Sequence, residues 1–388
     1  MSQRTVPTTI PTGKPRARDL GIPLPGTPGP NSAITDVEGV LVGYSTLIEG
    51  AGKLTVGQGP VRTGVTAILP LGREGVGVAC AAGYHSFNGN GEMTGASWIE
   101  EAGSISLPIL ITNTHAVGPC HRGIIDWVAR HKPDIANQWL LPVVAETWDG
   151  YLNDINGSHV TVDHAIAAID AAAGGQVEEG SVGGGTGMNC YAFKGGSGTA
   201  SRVVDYGHRS YTVGVFLQAN FGSRQELTVA GAPIGRELAN DNPMEAYFRG
   251  GPTGAGSCIG IVATDAPLLP GQCKALARRV PLGLARTGTA GSHFSGDIFL
   301  AFSTANPDSL NGRFPQGVPT EQSYSHMDFI PWGRMDDFYT AVVQAAEEAV
   351  LNALIANQDM TGRDGNRSPA LPHEKLVASL KSRGVIGA

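Results

Sequence analysis

The segment Gly250-Gly251-Pro252-Thr253-Gly254-Ala255-Gly256-Ser257-Cys258-Ile259-Gly260-Ile261-Val262-Ala263-Thr264-Asp265 decides the reading of this chain. Its first half is rich in glycine and free to turn. Its second half is an unbroken apolar run of strand length, the pattern of a strand covered on both faces. Ser257 sits on the boundary. A small hydroxyl residue between a glycine linker and a buried strand is the layout of a chain that cuts itself. Cleavage of Gly256–Ser257 would free an α-amine on the residue that carries the hydroxyl, so nucleophile and base would share one residue. The same pattern also describes a turn serine ahead of a core strand, and local sequence leaves both readings open.

The rest of the chain sets the frame for that strand. With 388 residues there is room for one large domain or two ordinary ones. Hydrophobic residues make up 41% and charged residues 16%, which supports a substantial core and argues against disorder. The 55 glycines require many tight turns or close strand contacts. The net charge is −7, and no Lys/Arg block interleaves with aromatics, so nucleic acid is not an expected partner. No apolar run reaches membrane-spanning length. The start, Met1 to Pro15, is polar and lacks an apolar signal core, so a cytoplasmic protein is expected. The cysteines, Cys80, Cys120, Cys190, Cys258 and Cys273, are odd in number and form no CxxC pair. Reduced buried thiols are expected rather than zinc or disulfides.

Residues 1–30 carry seven prolines and read as an arm. Strand patterns cover Gly39–Tyr44, Gly64–Leu69, Gly75–Ala82, Ile109–Ile111 and Leu141–Ala145, the last ending at Glu146. Ile124–Arg130 and Thr161–Ala173 read as helices. After a glycine segment at Gly183–Gly187, strands are expected at Ala192–Lys194, Ser201–Val204 and Tyr211–Gln218, with a turn at Ala219–Gly222. Residues 235–256 are the best candidate for an exposed or cleavable linker. Beyond Ser257 the pattern is helix over Leu269–Arg286, strand over Asp297–Ser303, a long helix over Met335–Asn357 and a short final helix from Leu371-Pro372. Mixed elements with many glycine-lined strands point to stacked sheets covered by helices.

The other candidate residues each have a plain structural reading beside the functional one. Gly183–Gly187 lacks the ending of an ATP-binding loop and the spacing of a dinucleotide loop; close backbone approach is the better reading. The ten histidines contain no His-Glu-x-x-His, and His159 and His164 are expected on different sides of a helix, so no metal is expected. There is no Gly-x-Ser-x-Gly elbow and no Ser-x-x-Lys. Ser295 and Asp297 are two apart and point to one side of an extended chain, where they could orient a nucleophile or form a capped turn. Glu146 ends an apolar strand, where a carboxylate needs a partner; a substrate ammonium would serve. The Asn220 amide could donate to an oxyanion, or simply close a turn. Cys258 would point to the face of the strand opposite Ser257.

Taken together, these segments resemble the DmpA-like family of self-processing aminopeptidases. That family includes the L-aminopeptidase/D-amidase-esterases and the β-peptidyl aminopeptidases. The resemblance rests on Arg16–Gly21, Ala33–Val37, Arg62–Thr66, Val143–Thr147, Val182–Met188, Gln218–Asn220, Ala263–Leu268, Phe294–Asp297 and Gly362–Arg367. It implies an α+β fold, a four-layer αββα sandwich like that of the N-terminal-nucleophile hydrolases but with different strand connectivity. The whole of 1–388 would be one domain, cut into an α chain of 1–256 and a β chain of 257–388 that stay together as a heterodimer. Homo-oligomers of that pair, tetramers or larger, are implied, with no cofactor.

By position, the resemblance makes Ser257 the nucleophile and Gly256–Ser257 the cleavage site. It makes Asn220 an oxyanion donor and Ser295 and Asp297 the element that positions Ser257. Glu146 would receive the N-terminal ammonium of short peptide, amide or ester substrates. Some relatives have tyrosine two residues beyond that glutamate; this chain has Trp148, which can donate one hydrogen bond but cannot exchange a proton. Asp297, rather than the glutamate common in β-peptide-specific relatives, places the chain nearer the L-aminopeptidase/D-amidase subgroup. A β-peptidyl aminopeptidase is the alternative. An ornithine-acetyltransferase-like acyltransferase or an unprocessed binding protein would be remoter ones.

Overall fold

The computed structural model describes residues 7–248, 256–315 and 317–387. The glycine stretch 250–255, where the linker was expected to be most open, lies outside the described residues.

Two sheets form the centre. The first contains β1 (Leu41–Glu49), β2 (Val61–Leu69), β5 (Ile109–Asn113) and β6 (Val143–Thr147) in the order β1-β2-β5-β6. Only β5 and β6 run parallel. The second sheet contains β3 (Cys80–Ser86), β4 (Ser104–Ile105), β7 (Gly196–Tyr206), β8 (Arg209–Asn220), β9 (Gly256–Thr264) and β10 (Ser295–Ser303). Its order is β4-β3-β10-β9-β8-β7, with β9 and β10 parallel and every other neighbour antiparallel.

The core shows why these runs stack. Alternate side chains of a strand leave opposite faces. In β9, Ile259, Ile261 and Ala263 join Ile68, Ile109, Ile111 and Val143 in a layer between the two sheets. Cys258 and Val262 face the other way, into a layer shared with helices α3 (Pro270–Ala277), α4 (Val280–Arg286) and α5 (Asp336–Ile355). The opposite sheet buries Val65, Leu69 and Val144 against α1 (Val117–His131) and α2 (Val162–Asp170). The resulting layers are α, β, β and α, the expected sandwich.

Gly183–Gly187 has the structural role its sequence favours. A short 3-10 turn at Gly183–Gly185 touches strands of both sheets. A side chain at Gly184 would meet the Ile111 carbonyl at 2.6 Å, and one at Gly187 the Asp149 side chain at 2.7 Å. The proline-rich arm is anchored. Arg16 reaches Glu179 at 2.7 Å, and Arg18 and Arg202 share the buried carboxylate of Glu348.

Several boundaries move. The single helix expected over Leu269–Arg286 is two, because Pro281 opens a new first turn and has no N–H to continue the old one. The strand expected from Gly75 begins at Cys80, after a turn with Gly77 at φ +99°. β8 runs two residues past the expected end at Gln218 to close at Asn220, and Ser295 to Asp297 lie inside β10, since both stretches pair with the start of β9. His159 precedes α2 and bonds Asp154 at 2.8 Å, while His164 caps the helix at Thr161. The expected linker is ordered as two short helices, Ile234–Glu237 and Pro243–Tyr247, in its described part. No helix among the described residues is long and apolar enough to cross a membrane.

Candidate active site

Strand register assembles the first part of the site. Ser257 lies opposite Asn220 across the β8–β9 ladder and opposite Gly296 across the β9–β10 ladder. Three adjacent strands thus place Asn220, Ser257 and the Ser295–Asp297 element side by side. Glycine is required beside the serine: a Cβ at Gly256 would run into the Asn220 carbonyl, and one at Gly296 into the Asn90 carbonyl. The Ser257 hydroxyl donates to the Gly256 carbonyl at 2.7 Å. It therefore rests on the carbonyl oxygen of the peptide expected to be cut.

Ser295 and Asp297 point to one side, as their spacing implies, and bond each other at 2.6 Å. Asn88, in the loop after β3, donates to the other Asp297 oxygen at 3.2 Å and accepts from the Asp297 N–H at 2.7 Å. Burial raises the Asp297 pKa, opposed by the bonds from Ser295 and Asn88.

The four-stranded sheet supplies the acid. Glu146, in β6, is 2% exposed. Its oxygens accept the Glu92 N–H at 2.9 Å and the Thr114 hydroxyl. Burial still raises its pKa above the ordinary value. Among the described residues Glu146 forms no ion pair, so a cation arriving in the cavity would offset the cost of burying its charge.

Asn220 is held so that only one orientation works. Its Oδ1 accepts the Asn189 N–H at 2.8 Å and its Nδ2 donates to the Trp148 carbonyl at 2.9 Å. A backbone N–H can face only the amide oxygen, and a carbonyl only the amide nitrogen. The second Nδ2 hydrogen remains for a ligand. The Trp148 ring packs edge-on against Phe248, with centroids 6.4 Å apart.

Ser257, Asn220, Glu146 and Trp148 line one cavity of about 650 Å³, a size suited to a small molecule or the end of a peptide. Ser295 and Asp297 stand behind it, on the neighbouring strand. Cys258 faces the helices, and burial, Asp297 and Cys190 push its thiol pKa well up, which removes it as a nucleophile. Among the described residues, no three His, Cys, Asp or Glu side chains gather where they could hold a metal ion.

Asn88, Thr114 and Asn189 were not legible as site residues. Each sits in a polar or glycine-rich stretch that reads as ordinary turn, and its role depends on a partner far along the chain. Lys194 was missed as well, although a lysine after Cys190-Tyr191-Ala192-Phe193 interrupts an apolar run.

Known proteins resemble this chain in sequence and in fold. The sequence profile of peptidase family S58 matches residues 32–368. The β-peptidyl aminopeptidase BapA of Sphingosinicella microcystinivorans is 50% identical over 377 residues, which is 95% of this chain and 92% of that protein. Among solved structures, the L-aminopeptidase D-Ala-esterase/amidase of Ochrobactrum anthropi superposes with a TM-score of 0.87 at 45% identity, covering 96% of this chain and 100% of that one. It is described as a prototype serine aminopeptidase and a new variant of the Ntn hydrolase fold. A β-aminopeptidase from a Burkholderia species gives a TM-score of 0.84 at 43% identity, covering 95% and 99%.

Proposed function

This chain belongs to peptidase family S58, and we propose that it cuts itself at Gly256–Ser257 and then, as a serine aminopeptidase, releases N-terminal residues from short peptides, amides and esters. The observation that carries the proposal is the strand register that sets Asn220 and Gly296 on either side of Ser257, with Glu146 in the same cavity.

In the first reaction the Ser257 oxygen attacks the Gly256 carbonyl carbon. The C–N bond breaks, the acyl group moves to oxygen, and water hydrolyses the ester. Gly256 becomes a carboxylate and Ser257 gains a free α-amine. Chains 1–256 and 257–388 stay together, because two ladders cross the cut, β8 with β9 and β3 with β10. In the second reaction the α-amine, with an ordinary pKa of about 7.7–8.0, takes the hydroxyl proton as Ser257 attacks the substrate carbonyl. It returns the proton to the leaving amine, and water clears the acyl-enzyme. The free Nδ2 hydrogen of Asn220 meets the oxyanion. Glu146 pairs with the substrate's ammonium. Ser295 and Asp297 position the nucleophile from the adjacent strand.

L-amino acids and D-alanine amides or esters are the main substrates in this reading. A second reading, release of N-terminal β-amino acids, is favoured by the 50% identity to a β-peptidyl aminopeptidase. Five buried free thiols suit a cytoplasmic location. Assembly of the cut pairs into homo-oligomers belongs to the same reading, supported by exposed Trp139 and Trp332.

The test is intact mass together with hydrolysis of L-alanine, D-alanine and β-alanine p-nitroanilides. Two masses that split at Gly256–Ser257 and turnover of at least one substrate are expected. A single full-length mass with turnover would remove the scheme, and the preferred substrate decides between the two readings.

A further inference from the structure

Lys194 is fully buried, and among the described residues it forms no ion pair. Its ammonium donates instead to two carbonyls, Met188 at 2.7 Å and Gly195 at 2.8 Å. A buried ammonium held by carbonyls alone is costly. Burial lowers its pKa to about 7, while the Asp149 carboxylate opposes that shift. The Met188 carbonyl belongs to the same peptide unit as the Asn189 N–H, and that N–H is the donor that grips the Asn220 side chain at 2.8 Å. One rigid peptide plane therefore joins the lysine to the asparagine.

The local backbone holds this plane in place. Asn189–Cys190 and Phe193–Lys194 pair as a tight hairpin, with Asn189 opposite Lys194. Its two turn residues, Tyr191 and Ala192, have φ of +53° and +54°. A two-residue turn of this hand normally uses Asn or Gly, so these residues carry strain that the surroundings must hold. Arg224 does so from the cavity side, donating to both the Tyr191 and Ala192 carbonyls.

We propose that Lys194 is a positioning residue for the oxyanion site: it grips the Met188–Asn189 peptide by its carbonyl so that the N–H on the other edge locks the Asn220 amide with Nδ2 toward the cavity. The inference rests on the assignment of Asn220 above. A donor bonded to the carbonyl also polarises the peptide and strengthens its N–H as a donor. Without Lys194 the Met188 carbonyl keeps only the Gly195 N–H, at 3.0 Å, so the peptide is held less firmly and the Asn220 amide can rotate away from the reacting carbonyl.

The test is a double-mutant cycle on the full chain with Lys194→Met, Asn220→Ala and both together, reading kcat and KM on the preferred p-nitroanilide and the rate of self-cleavage by intact mass. Lys194→Met should lower kcat and self-cleavage roughly 10- to 100-fold, below the loss of a whole oxyanion donor, with KM changed by no more than about threefold. In the Asn220→Ala background the lysine change should have almost no further effect, whereas a merely structural role would multiply. Unchanged kcat in Lys194→Met, or losses that multiply in the double variant, overturn the proposal. Should Lys194→Met not fold, an ester linkage in place of the 188–189 amide removes the Asn189 N–H and weakens the Met188 carbonyl as an acceptor for Lys194, so it acts on both edges of the plane. The same kcat loss then supports the proposal, and full turnover overturns it. Full turnover by Asn220→Ala would instead overturn the assignment of Asn220, and the lysine's role with it.

Discussion

The six-stranded and four-stranded sheets both end at the cavity, but they build their halves of it by different means. In the six-stranded sheet, Asn220, Ser257 and Gly296 lie abreast on three hydrogen-bonded strands. Backbone pairing alone sets their separation, so the reacting groups are as rigid as the sheet. In the four-stranded sheet, Glu146 is placed by its strand but gripped by groups outside it, the Thr114 hydroxyl beyond β5 and the Glu92 N–H. In the proposed function, chemistry is held by ladder register and recognition by loop contacts. One loop spans the two: Asn88 holds Asp297 of the six-stranded sheet and Glu92 holds Glu146 of the other. Bond-making tolerates little misplacement, whereas binding an ammonium tolerates more.

Substitutions can break this comparison or sharpen it. The largest effect belongs to Ser257→Ala, which should remain one full-length mass and hydrolyse nothing. Cleavage or turnover by that variant would move the chemistry elsewhere. Next comes Asn220→Ala, with kcat reduced by about 10²–10³ and KM little changed, since the donor acts when charge develops on oxygen.

Glu146→Gln tests the recognition half. It should lower kcat/KM for free-amine substrates by about 10- to 100-fold, the range of a hydrogen bond to a charged group. Hydrolysis of p-nitrophenyl acetate, which has no ammonium, should be unaffected. Equal loss on both substrates would place Glu146 in the chemistry and dissolve the division between sheets. The same variant should unfold at a higher temperature at neutral pH. Burial raises the Glu146 pKa in the folded state, so the folded chain binds more protons than the unfolded one between the ordinary carboxylate range and the raised value. Stability therefore falls as pH rises through that window, and glutamine, which has no charge to bury, avoids the loss. A lower melting point for Glu146→Gln at neutral pH would contradict this.

The smallest effect is expected from Thr114→Val. It removes one hydrogen bond that lowers the Glu146 pKa, worth about 1.5 kcal/mol or roughly tenfold, the low end for a bond to a charged group. The acid limb of kcat/KM should shift to higher pH while the plateau kcat stays in place. A changed kcat at the plateau would tie the Thr114 hydroxyl to the reacting atoms.

Much of the site was legible because its residues sit at the ends of apolar strands. Ser257 begins one, Glu146 closes another, and the Ser295–Asp297 spacing already put two side chains on one face. Asn88 and Lys194 gave no comparable signal. Asn88 acts on a carboxylate 209 residues away. Lys194 acts through a backbone carbonyl, which every residue has. The break at Pro281 was visible as a proline, but whether it ended a helix or opened a new one depended on how the flanking turns pack.

By itself the sequence determined the alternation that makes β9 apolar on both faces, the serine at its edge, and the glycines at 256 and 296 that leave room for neighbouring carbonyls. These are local properties, set by side-chain size and a period of two. Only the tertiary structure decided that β9 pairs in register with Asn220 on one side and Gly296 on the other, that Glu146 from a different sheet shares the cavity, and that a buried lysine bonds the peptide whose N–H meets the asparagine. Those relations join residues far apart in the chain. They exist only once two sheets have stacked and excluded water, because only then does each buried polar group have to find the one partner within reach.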